Sequence, residues 1–221
     1  MKKILCFIKH AINFIYPNVC GICDKVCEND LCPKCEIKLK NIAKNKIEKY
    51  TDTNFRKHIY LFKYDGIIKE RLIKFKFNEK PYIYKAFVKF LIKNEKICRF
   101  LKSYDIIIPV PIHYNRKVTR GYNQSALISK ELAKILLIDY SENVLLKKIN
   151  NKPQSTKNKE ERNANVIGVY YIKNEYKIYN KKVLLLDDIY TTGSTVNECA
   201  KVLKEARSKT NRYYYNCKRL K

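Results

Sequence analysis

The chain has 221 residues, with 47 Lys and Arg against 21 Asp and Glu, a formal net charge of +26. No run of about 18 apolar residues occurs, so no transmembrane helix is expected. Nine cysteines, four of them in two C-x-x-C pairs, point to a metal site in a reducing, cytoplasmic setting and argue against a disulfide framework.

The positive charge has two readings. It suits anionic partners such as nucleic acid, phosphorylated metabolites or anionic lipid. It equally suits the Lys-, Ile- and Asn-rich, Gly- and Trp-poor usage of an A/T-rich genome. Met1 to Tyr16 carries a stripe of Ile4, Ile8, Ala11, Ile12 and Ile15, which predicts a short amphipathic helix packing on the body, with weak membrane contact as the alternative. Lys9 and His10 interrupt the apolar stretch and no small-residue cleavage site follows, so a signal peptide is not expected.

Cys20-Gly21-Ile22-Cys23 is followed after eight residues by Cys32-Pro33-Lys34-Cys35. Two such knuckles present four thiolates to one tetrahedral Zn²⁺, a small zinc ribbon. Filling all four positions leaves none for water, so the metal is expected to be structural. Gly21 is expected to ease the tight turn, and Cys27 to stand outside the ligand set. Ile37 to Lys49 reads as a helix or linker leaving the ribbon.

Ile59 to Gly66 reads as a strand ended by an Asp-Gly turn, Ile67 to Phe77 as a helix stopped by Pro81, and Tyr84 to Leu101 as one further amphipathic helix. Lys74 and Lys76 are within reach of a phosphate in this scheme, with ordinary surface lysines as the competing reading. Tyr104 to Pro111 is a buried-strand candidate. A basic loop follows, with an isolated His113 read as structural. It feeds a helix whose apolar face is Ile128, Leu132, Ile135 and Leu136. Arg116 and Arg120 suit pyrophosphate, because guanidinium groups offer paired donors to phosphate oxygens; a nucleic-acid backbone would satisfy them too. Asn150 to Asn165 is polar and without periodicity, a candidate closing loop, with Gln154, Arg162 and Asn165 as possible ligand contacts, or plain disorder.

The densest signal is Lys182 to Thr195. Val183 to Leu186 is an unbroken apolar run, the pattern of a strand covered on both faces. Asp187 and Asp188 come next, then Thr191-Thr192-Gly193-Ser194-Thr195, then Val196, Cys199, Ala200 and Leu203 at helical spacing. Backbone N–H groups, hydroxyls and the helix dipole converge at such a loop to hold a phosphate monoester. Carboxylates at a strand end suit ribose hydroxyls or the waters of Mg²⁺.

This run resembles the phosphoribosyl pyrophosphate (PRPP) motif of type I phosphoribosyltransferases. The resemblance implies that Asp187 and Asp188 hold the ribose hydroxyls, and Thr191, Thr192, Gly193, Ser194 and Thr195 the 5′-phosphate. Pro109-Val110-Pro111 followed by Arg116 and Arg120-Gly121-Tyr122-Asn123-Gln124 narrows the likeness. So do the N-terminal Pro-x-x-Cys-x-x-Cys, Tyr64-Asp65-Gly66, Lys152-Pro153-Gln154 and Glu161-Arg162-x-x-Asn165. In this combination the chain resembles the ComF family of competence-associated proteins, over about residues 14 to 206. The resemblance implies an α/β fold: a type I phosphoribosyltransferase-like parallel sheet flanked by helices, preceded by a small four-cysteine zinc ribbon. The expected division is residues 1–50 for the N-terminal helix and ribbon and 51–221 for the phosphoribosyltransferase-like domain.

After Ala206 the family pattern asks for Gly-Ala and a last apolar strand, but the chain has Arg207 to Lys218 with Tyr213-Tyr214-Tyr215. Tyr codons TAT-TAT read one base over contain ATT, so a shifted frame would restore an Ile-rich strand. On that hypothesis the sheet lacks its last strand and a neighbour has an open edge.

Two functions compete. One is a protein of DNA uptake that binds PRPP and Mg²⁺, contacts single-stranded DNA and meets other DNA-uptake proteins. The other is an active transferase moving phosphoribosyl from PRPP to an acceptor, by positioning and by stabilising the leaving pyrophosphate. For the transferase no catalytic base can be named.

Overall fold

The computed structural model describes residues 17–77, 80–150 and 166–206 in full, and 210–218 as backbone. The predicted N-terminal helix and the loop contacts Gln154, Arg162 and Asn165 lie outside the described residues.

In chain order the elements are α1 (Pro33–Ile42), β1 (Lys46–Lys49), β2 (Lys57–Lys63), α2 (Gly66–Phe77), α3 (Ile83–Ile92), α4 (Glu95–Leu101), β3 (Ile106–Pro109), α5 (Tyr114–Arg120), α6 (Gln124–Leu136), β4 (Asp139–Tyr140), β5 (Leu145–Lys147), β6 (Tyr170–Ile172), β7 (Lys182–Tyr190), α7 (Ser194–Glu205) and β8 (Thr210–Lys218). The main sheet has strand order β1-β2-β8-β7-β3-β4. Only β1 runs antiparallel; β2, β8, β7, β3 and β4 are parallel. A separate antiparallel pair joins β5 to β6.

The unbroken apolar run of β7 is explained by burial on both faces. Leu184 and Leu186 enter one apolar cluster, with Ile107, Ile128, Phe75 and Phe87. Val183 and Leu185 enter the other, with Ile106, Ile108, Val196, Cys199 and Leu203. A strand's side chains alternate between faces, so a strand covered twice has no polar positions to offer. Each such aliphatic side chain contributes about 1.5–3 kcal/mol by leaving water. The ribbon shares the first cluster: Cys20, Ile22, Cys35 and Leu39 are buried there with Ile83 and Phe87.

Several expectations need correcting. Tyr84 to Leu101 is two helices, α3 and α4, because Asn94 leaves the helical region and its side chain accepts from the Ile97 N–H to start a new one. The basic loop after β3 is itself helical, as α5, capped by His113 Nδ1 accepting from the Asn115 N–H and ended by Gly121 at φ 80°. Ile135 is 40% exposed, so the apolar face of α6 is Ile128, Leu132, Ala133 and Leu136. The strand predicted for Val183 to Leu186 runs on through Tyr190, so the acid pair lies within β7, near its end.

The carboxyl end departs most. Residues 210–218 form β8, hydrogen-bonded in parallel between β2 and β7, with Leu184 opposite Arg212 and His58 opposite Tyr213. The last strand is therefore present and closes the edges of β2 and β7. Its sequence, with Asn211, Arg212 and Asn216 at a central position, is still not that of a twice-covered strand.

Candidate functional site

The parallel strands β7 and β3 end side by side, with Pro109 registered against Leu186. Past that line the chain turns polar. β7 reaches Tyr190, Thr191 and Thr192 turn, and Gly193 adopts φ 80° before α7 starts at Ser194. Glycine is required twice over. The left-handed φ strains any other residue, and a Cβ at Gly193 would lie 2.4 Å from the Tyr190 hydroxyl oxygen.

Around this turn is a cavity of about 60 Å³, lined by Asp187 and by Ile189 through Val196. One water needs about 10–15 Å³ of such space, so the cavity has room for a group of several heavy atoms, the scale of one phosphoryl group. Thr192 and Ser194 hydroxyls lie 2.6 Å apart, and Ser194, Thr195 and Val196, the first residues of α7, line the same space. Thr191, Thr192, Gly193, Ser194 and Thr195 are thus brought together with Asp187.

The acid pair is held from distant parts of the chain. Ser125, at the start of α6, donates to Asp187 Oδ1 at 3.0 Å, and the Asp188 N–H donates to the same oxygen at 2.9 Å. Burial, reinforced by the neighbouring Asp188 charge, pushes the Asp187 carboxyl up to about 7. Asp188 is buried and its Oδ2 lies 2.7 Å from the Lys76 ammonium on α2. Lys74 does not join this cluster; it pairs with Glu70 one helical turn away, at 2.8 Å. Two positions apart on a helix lie about 200° apart around its axis, so Lys76 reaches the acids and Lys74 does not.

Arg116 and Arg120 lie one turn apart on α5. Arg120 donates to Gln124 Oε1 at 2.7 Å and lies over the Phe77 ring, 5.5 Å from its centroid. Burial and the nearby Arg116 lower its pKa, while Asp188 opposes them. Lys147, on β5, is a cation that sequence reasoning did not select. Burial first, then Arg116, push it down to about 8, with Asp187 acting the other way. The β5–β6 pair thus carries a further cation, held over the Tyr170 ring at 5.7 Å from its centroid. Ser125 was missed as well. It directly follows Asn123-Gln124, but nothing in its spacing to Asp187 marks a contact across 62 positions.

The second site is the cysteine cluster. The ligand atoms of Cys20, Cys23, Cys32 and Cys35 all lie within 4.8 Å of one another. Cys23 and Cys32 sulfurs are 3.9 Å apart, close to the edge of a tetrahedron built on Zn–S bonds of about 2.3 Å. The four thiols are placed to hold one structural metal ion such as zinc. Cys27 points away and donates to the Asn29 carbonyl. Gly21 lies in the turn, and a Cβ there would also lie 2.8 Å from the Ala86 Cβ, so glycine lets the knuckle settle on α3. Asp24 completes the joint, 2.7 Å from Arg71, 3.0 Å from Lys80 and 2.9 Å from the Tyr82 hydroxyl. Partial burial opposes ionisation, but these donors outweigh it and hold the Asp24 carboxyl well below its usual range.

Sheet order, paired strand ends, acid pair and phosphate-sized turn together define a phosphoribosyltransferase-like α/β protein with an attached four-cysteine metal cluster. No protein-family model matches the chain. Among curated relatives, Competence protein F of Haemophilus influenzae is 33% identical over 138 residues, 60% of this chain and 59% of that protein. Competence protein ComFC of Bacillus subtilis is 26% identical over 209 residues, 92% of this chain and 79% of that protein. These relatives, the motifs and the cysteine cluster support a protein of the ComF family. The match spans about six tenths of the Haemophilus protein's length. A solved adenine phosphoribosyltransferase from Thermoanaerobacter pseudethanolicus aligns at 13% identity over 82% of this chain and 98% of that one, with a TM-score of 0.38. A superposition this loose leaves the fold to rest on the sheet order itself. Among the described residues no helix is long and apolar enough to cross a membrane.

Proposed function

We propose that this is a cytoplasmic protein of DNA uptake that binds PRPP with Mg²⁺ and contacts single-stranded DNA. The names of its relatives support the biological setting. The observation that carries the ligand is the cavity of about 60 Å³ between Asp187 and the start of α7.

In this reading the 5′-phosphate sits against Thr191 to Thr195 and the ribose hydroxyls face Asp187 and Asp188. The pyrophosphate, with its Mg²⁺, lies toward Arg116 and Arg120. Two adjacent carboxylates repel a polyanion unless they are compensated. Lys76 neutralises Asp188 from one side, and the cations of α5 supply the remaining attraction. The cysteine cluster holds zinc as a staple within residues 1–50, fastened to the 51–221 unit through Asp24.

Calorimetry with PRPP and Mg²⁺ tests the reading. Heat that is lost in Asp188→Asn and in Gly193→Val supports it; no heat from the zinc-loaded protein refutes it. Pyrophosphate release on adding free bases would extend the function to phosphoribosyl transfer.

A further inference from the structure

A second, larger cavity of about 260 Å³ opens between α5 and the β5–β6 pair. It is lined by Pro111 and Leu146, by the exposed Tyr114 and Tyr171, and by three charged groups, Lys117, Lys147 and Glu142. Pro109 in its lining is registered against Leu186, and Asn123, also in its lining, bonds the Ser125 that holds Asp187, so this cleft lies beside the acid pair, while it shares no lining residue with the cavity at the turn.

The cleft has the chemistry of a base pocket. Its volume is below the roughly 300–1,000 Å³ of sites for drug-sized ligands, which limits it to one flat group. Apolar walls with tyrosines at the rim suit stacking, which every base accepts. The neighbouring surface suits a phosphate backbone. α5 buries none of its residues. Tyr114 is 73% and Val118 63% exposed, and Phe77, under Arg120, is 71% exposed. Glu142 is paired with Lys117 at 3.3 Å and accepts from the Tyr140 hydroxyl at 3.1 Å, so Lys147 leaves the lining with one net positive charge.

We infer that this cleft seats one unpaired base of a single-stranded nucleic acid whose phosphates run along the Lys117 side of α5. The inference rests on the DNA contact proposed above and gives it a place. A duplex cannot offer an unpaired base without melting, so the pocket selects single strands. Aromatic side chains supply the affinity that salt does not remove, and the lysines supply the part that it does.

The test compares two oligomers of equal length, oligothymidylate and its abasic counterpart, by fluorescence anisotropy at several salt concentrations. The zinc-loaded wild type is expected to bind the base-bearing strand about tenfold more tightly. Tyr114→Ala and Tyr171→Ala are expected to reduce that preference toward unity, with an unchanged salt slope and an unchanged heat with PRPP. Lys117→Gln is expected to lower the salt slope by about 0.7 and keep the preference. If the wild type binds neither strand, the DNA contact itself is refuted, and the pocket with it. If it binds both strands equally, or if the tyrosine variants keep the preference, the pocket is refuted and the DNA contact stands. Free thymidine that matches the strand in affinity would make the occupant a nucleoside and overturn the assignment to a strand.

Discussion

The cysteine cluster and the acid-and-turn site are built on opposite plans. The cluster is local: four sulfurs from sixteen consecutive positions converge, and one ion would satisfy them all. The phosphate turn is equally local, but its charges are balanced by residues far away in sequence, Lys76 on α2 and Ser125 on α6. A local site can be lost by removing its ion. A distributed one is lost by degrees, through the groups that hold its charges.

That contrast can be broken at several points. The largest effect is expected from chelation or Cys35→Ser. Structural zinc binding is worth on the order of 10 kcal/mol, and Cys20, Ile22 and Leu39 share the main apolar cluster. A fall in Tm of about 10 °C or more is expected; a negligible fall would show that the ribbon is not part of the fold's stability. Gly193→Ala should cost about 1–2 kcal/mol for the left-handed φ alone, more with the Tyr190 contact, and should abolish phosphate binding in the same denaturation and calorimetry runs.

The two neighbouring lysines sharpen the comparison. Lys76→Ala leaves the buried Asp188 without its ammonium and should cost about 1–3 kcal/mol by urea denaturation. Lys74→Ala breaks a surface pair with Glu70 and should cost less than about 0.5 kcal/mol. Equal costs would contradict the placement of Lys76.

Asp187 gives a pH signature of smaller size. Its carboxyl is raised in the fold, to about 7 from an ordinary value of 3.8, so between these limits the native state binds more protons than the unfolded one. Stability from this group is complete below the lower value and falls as pH rises through the upper. Asp187→Asn removes that loss: its Tm relative to wild type should be unchanged near pH 4 and higher by a few °C above pH 7. A difference that shrinks with rising pH would have the wrong sign.

Much of this was legible in the sequence, because much of it is short-range. The C-x-x-C spacing gave the cluster, and the run from Val183 to Thr195 gave strand, turn and helix, since each depends on neighbours in the chain. What was not legible depends on tertiary contact. Gly21 is needed for the approach of α3, Lys76 and not Lys74 meets the acids, and Lys147 lines one cleft with Tyr171 and Lys117 only once the β5–β6 pair forms. The tail shows the limit most plainly. Asn211, Arg212 and Asn216 argue against a central strand, yet the backbone of 210–218 fills the slot between β2 and β7. The reading-frame hypothesis keeps its own check: Tyr213, Tyr214 and Tyr215 codons of TAC in the gene would remove it.

Calorimetry of the zinc-loaded protein against PRPP and Mg²⁺, beside Asp188→Asn, tests the turn after β7 most directly. One-to-one binding by the wild type and loss of heat in the variant is the predicted result. No heat from a folded, metal-loaded wild type, or equal heat from both proteins, would contradict it.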